Sequence, residues 1–79
     1  MYGIIPKKGR EELLDNKIAM YRAERRWTQQ HLAEIVDVSR QTITNIEKNK
    51  YNPSLVLAFK IANAFDKSII ELFTYEEAD

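Results

Sequence analysis

Between Thr28 and Glu47, two short stretches of helical periodicity stand three residues apart, separated by Asp37, Val38 and Ser39. In the first, residues 29–36, Leu32, Ala33 and Val36 recur at i, i+1 and i+4 and make one apolar face. In the second, residues 40–48, Thr42, Ile43 and Ile46 turn to the interior. Thr28 and Ser39 stand just ahead of the two stretches, where a side-chain oxygen can accept from the unpaired N–H groups of a first turn. Asn49 closes the second, because asparagine tolerates the left-handed backbone that helix ends often need. Three residues allow only a turn, so the two helices must cross closely, and the small Ala33 stands where they would meet.

The rest of the chain reads as further short helices. Residues 16–26 carry Ile18 and Tyr21 on one stripe with Arg22 and Arg25 beside it, and Asp15 or Asn16 is the expected N-cap. Asn52 and Pro53 interrupt the pattern, after which Ser54 caps a helix with Leu55, Ala58, Ile61, Ala62 and Phe65 facing one side. Ser68 with Glu71 three residues on has the form of a capping box, opening a very short helix through Ile69, Ile70 and Leu72. Leu13 and Leu14 at one end, and Phe73, Thr74 and Tyr75 at the other, are the expected strand fragments of a minimal two-stranded sheet. The predicted fold is therefore all-α, five helices in one domain over residues 13–79. Residues 1–12, with both glycines and Pro6 among Lys7, Lys8 and Arg10, read as a flexible arm.

A 79-residue chain buries only about 60% of its unfolded surface, and this one has no cysteine to form a disulfide or a thiolate metal site. Its stability must come from apolar packing, to which dimerisation would add. No apolar run approaches the roughly 20 residues that cross a bilayer, so a soluble, cytoplasmic protein without membrane attachment is expected. His31 is the sole histidine, so no metal site or cofactor is expected, and no nucleophile is paired with a base, so no enzyme is expected.

Net charge is zero, yet its distribution is uneven. Residues 16–70 hold nine Lys and Arg against five Asp and Glu, an excess of four positive charges balanced by the two ends. At about 100° per residue, Arg40, Gln41, Thr44, Asn45 and Lys48 share the outward arc of residues 40–48, with no carboxylate among them. Arginine pairs bidentately with guanine, glutamine and asparagine with adenine, and threonine offers a methyl to thymine or a hydroxyl to phosphate. Two short helices joined by a tight turn, the second carrying such an arc, fit a helix-turn-helix unit whose second helix enters the major groove of double-stranded DNA.

The stretch from Val38 through Ser39, Arg40, Gln41, Thr42, Ile43, Thr44, Asn45 and Ile46 to Glu47, followed by Lys48 to Leu55, resembles the phage repressor and Cro-like helix-turn-helix regulators. Thr28, Gln29, Leu32, Ala33 and Glu34 match the start of that family's second helix, and the likeness runs from about Asn16 to Phe73. Within the family the chain is most similar to compact dimeric repressors such as the cytolysin-operon repressor. The resemblance implies a five-helix repressor-like core, a sheet from both chain ends, and a homodimer reading a palindromic operator. It implies that Arg40, Gln41, Thr44 and Asn45 face base edges, that Gln29, Lys48, Lys50, Tyr51 and Asn52 meet phosphates, and that Arg22 and Glu47 form a structural pair. Asp37 departs from the glycine usual in the turn, and Trp27 replaces a smaller aliphatic residue and is expected to anchor the core.

One recognition helix covers too few base pairs to be selective in a genome, which favours a two-fold dimer. Ile69, Ile70, Leu72 and Phe73 are the expected interface, being too many large apolar residues for one short helix to bury alone. A repressor or autoregulator of transcription is the leading expectation. The alternative is a protein-interaction module of the same fold, an antitoxin or a polymerase adaptor, using the acidic tail from Phe73 to Asp79.

Overall fold

Four of the five helices in the structure, a computed structural model that describes residues 13–75, begin behind a hydroxyl that accepts a backbone N–H. Thr28 accepts from His31 at 2.9 Å and opens α2 (Gln29–Val36), and Ser39 accepts from Thr42 at 3.1 Å and opens α3 (Arg40–Glu47). Ser54 accepts from Leu57 at 3.1 Å ahead of α4 (Leu55–Ala64), and Ser68 from Glu71 at 3.3 Å ahead of α5 (Ile69–Leu72). The Ser68 backbone N–H in turn donates to the Glu71 carboxylate at 2.7 Å, completing the capping box. That backbone bond, with the Ser68 hydroxyl and the nearby Lys67, holds the Glu71 carboxyl below its ordinary value.

The first helix corrects two expectations. α1 spans Ile18–Arg25, so it starts behind Lys17, which makes no side-chain cap, rather than behind Asp15 or Asn16. Those two residues instead form strand β1 (Asp15–Asn16), antiparallel to β2 (Phe73–Thr74), with Asp15 opposite Thr74 and Asn16 opposite Phe73. Leu13 and Leu14 therefore lie outside the sheet, as does Tyr75. In a sheet two residues long the register follows from the helices it joins, and here the Lys17 N–H donates to the Leu72 carbonyl at 2.9 Å, tying the start of α1 to the end of α5. Asn16 still serves α1 from the strand, its Oδ1 accepting from Ile18 N at 3.1 Å while its amide nitrogen donates to the Ile46 carbonyl at 2.8 Å.

The core gathers Ile18 from α1, Leu32 and Ala33 from α2, Ile43 from α3, Ile61 from α4, Phe65 just after it and Leu72 from α5, all fully buried. α2 packs on both α3 and α4 and is the centre of the domain. Trp27, half-buried between α1 and α2, stacks on Phe65 with ring centroids 5.3 Å apart. Asp37 ends α2 in the left-handed conformation with φ 62°, and the following Val38 N–H donates to the Ala33 carbonyl at 3.0 Å. Asn49 takes φ 57° after α3. Leu55 departs from expectation, being 69% exposed. It lies on the same side of α4 as buried Ala62, but at the first residue of the helix, past the end of the core. No helix among the described residues is long and apolar enough to cross a membrane. The arm of residues 1–12, and residues 76–79 of the acidic tail, lie outside the described residues.

Candidate nucleic-acid interface

Burial of Ile43 and Ile46 fixes the rotation of α3 and leaves Arg40, Gln41 and Lys48 exposed, with Thr44 and Asn45 half-buried beside them. The outward arc thus holds the residues its periodicity indicated. Along it, Gln41 Nε2 donates to Asn45 Oδ1 at 3.0 Å, and the Thr44 hydroxyl donates to the Arg40 carbonyl at 3.1 Å.

Beneath the arc a chain of bonds joins three helices. The Arg22 guanidinium of α1 clasps the Glu47 carboxylate of α3 by two bonds, 2.7 Å from Nε and 3.1 Å from Nη2, and its Nη1 donates to the Trp27 carbonyl at 2.8 Å. The two side chains are only 18% and 9% exposed, so the pair is shielded from salt and water. Gln29, the first residue of α2, donates from Nε2 to the same carboxylate at 3.0 Å, and its Oε1, 2.9 Å from the Thr44 hydroxyl, shares that single hydrogen with the Arg40 carbonyl. Glu47 is thereby neutralised, and no carboxylate stands on the outward arc to repel a phosphate.

Gln29 sits at the open end of α2, where unpaired N–H groups and the helix dipole favour an anion. Arg22, Thr28, Gln29, Gln30 and Arg40 line a shallow depression of about 610 Å³ there. Thr28 and Gln30 were not among the contact residues read from the sequence; their place in the first turn of α2, next to Gln29, was the available signal.

The family pattern described as Helix-turn-helix matches residues 18–72. The chain belongs to the helix-turn-helix family. It is 53% identical over 64 residues to an HTH-type transcriptional regulator of Methanocaldococcus jannaschii, a match covering 81% of this chain and 97% of that one. Among solved structures, a protein of Bacteroides fragilis described as DNA-binding superposes with TM-score 0.70 at 31% identity, over 78% of this chain and 100% of that one. SinR, a master regulator for biofilm formation solved in complex with DNA, superposes with TM-score 0.62 at 31% identity, over 67% of this chain and 86% of that one. The fold and these relatives make this protein a DNA-binding transcriptional regulator.

In this helix-turn-helix regulator the remaining expected phosphate residues lie on the turn after α3. Lys48 caps that helix, the Lys50 N–H donates to the Asn45 carbonyl at 2.9 Å, and Lys50 and Tyr51 are exposed. Asn52 also braces the fold, its Oδ1 accepting from Leu14 N at 2.9 Å. Of the four expected interface residues, Ile70 is 79% exposed and Ile69 half-buried, whereas Leu72 and Phe73 are buried in the domain's own core. Leu55, Val56 and Phe59 on α4 are exposed as well. Leu55, Ile69 and Tyr75 border an apolar groove between α4, α5 and the sheet.

Proposed function

We propose that this regulator acts in the cytoplasm as a homodimeric repressor or autoregulator that reads a palindromic operator through the major groove. It binds DNA and performs no chemistry. The observation that carries this reading is the outward arc of α3, which combines base-reading side chains with the neutralised Glu47 beneath them. Arg40, Gln41, Thr44 and Asn45 meet base edges in this reading, and Gln29, Lys48, Lys50, Tyr51 and Asn52 meet the flanking phosphates. The local excess of positive charge in residues 16–70 supplies the attraction that a neutral whole chain lacks.

Dimerisation is supported by Ile70 and, on α4, by Leu55, Val56 and Phe59, large apolar side chains left exposed among the described residues. The test is selection of bound sequences from a random DNA pool, followed by titration of the selected duplex at rising salt. Two inverted half-sites about one helical turn apart are expected, with affinity falling about a hundredfold between roughly 50 and 200 mM salt if each unit neutralises about two phosphates. A pool that yields no preferred sequence overturns the reading.

A further inference from the structure

Gln41 and Asn45 stand one turn apart on α3, joined by the bond from Gln41 Nε2 to Asn45 Oδ1 at 3.0 Å. An amide oxygen only accepts and an amide NH2 only donates, so in this bond the Gln41 NH2 is the group turned to the Asn45 oxygen. Gln41 keeps one N–H and its oxygen for an outside partner, and Asn45 keeps two N–H groups. Adenine shows the major groove an acceptor, N7, beside a donor, N6, while guanine shows two acceptors, N7 and O6. An amide held as Gln41 is held matches adenine with two bonds and sets its oxygen against guanine O6. Thr44 supplies no competing donor, because its hydroxyl is engaged by Gln29 Oε1 at 2.9 Å and the Arg40 carbonyl at 3.1 Å.

The geometry points to a two-residue reading unit in which Asn45 orients the Gln41 amide to select adenine over guanine. Asn45 then turns its own N–H groups to an acceptor edge, guanine O6 or N7 or thymine O4. This rests on the base readout by α3 proposed above, and goes beyond it by giving Asn45 a positioning role at a base that Gln41 contacts. Without Asn45 the amide rotates freely and can offer both its hydrogens to guanine, so discrimination weakens at that base.

The experiment compares the intact chain with Gln41→Ala, Asn45→Ala and Asn45→Asp, by sequence selection and then by titration on duplexes carrying A or G at the affected base pair. Gln41→Ala is expected to erase the preference at one base pair, which marks the position Gln41 reads. Asn45→Ala is expected to lower the A-to-G affinity ratio at that same position about twofold, the scale of one exposed amide pair, with helical content unchanged. Asn45→Asp keeps the accepting oxygen and is expected to keep the ratio while weakening overall affinity. An unchanged ratio in Asn45→Ala, or a collapsed one in Asn45→Asp, overturns the reading unit while leaving base readout intact. A Gln41→Ala protein that selects the native sequence overturns base readout by Gln41 itself.

Discussion

Glu47 is the residue on which the proposed recognition surface depends, although it touches none of the outward arc's solvent face. Its carboxylate takes the Arg22 guanidinium on two bonds and the Gln29 amide on a third, at 9% exposure. Removing one member of a shielded pair leaves the other charge without its partner, which costs more than the pair contributes when intact. Glu47→Ala should therefore lose about 3 kcal/mol of stability, seen as a lower urea midpoint at unchanged slope. A loss under about 1 kcal/mol would place the pair among ordinary surface ion pairs. The sequence made this pair readable only through the family likeness; spacing alone gives no reason to join positions 22 and 47.

The element that sets the geometry is the turn between α2 and α3, and its weak point is Asp37. At φ 62° a side chain crowds the backbone, a cost aspartate bears better than most residues but glycine does not bear at all. Asp37→Gly is expected to raise stability by about 0.5 kcal/mol, after the larger entropy glycine loses on folding, or roughly 2 to 4 °C in midpoint. Thermal unfolding followed by circular dichroism measures it, and a lower midpoint would mean that the aspartate side chain supports the turn. The helix starts at Thr28, Ser39, Ser54 and Ser68 were legible because a cap is a local event, one side chain and one N–H three residues on. The start of α1 was not, because Asp15 and Asn16 are held by a strand more than fifty residues away in the chain.

For the whole molecule, the proposed homodimer rests on apolar surface that one domain leaves exposed among the described residues. Ile70, 79% exposed, stands with Leu55 and Val56 as apolar surface that the domain leaves uncovered among the described residues. Ile70→Asp changes nothing in the core, so helical content should persist while the proposed dimer separates and operator affinity drops. Sedimentation equilibrium at micromolar concentration decides it: a dimer that survives the substitution puts the interface elsewhere, and a monomeric native protein removes dimerisation from the reading.

Periodicity and caps, both local, were enough to determine the helix count, the boundaries of α2 and the outward arc of α3, because each depends on residues within one or two turns of one another. Tertiary structure alone decided the rest. Leu72 and Phe73 were read as available to a partner, but the return of the chain beside Asn16 folds both into the core and leaves Ile70 outside. Leu55 had the correct angle for burial, yet at the first residue of α4 it borders an open groove and stays 69% exposed. Whether an apolar side chain is covered depends on where distant segments end, and a one-dimensional pattern carries the direction of a side chain without the extent of what lies opposite it.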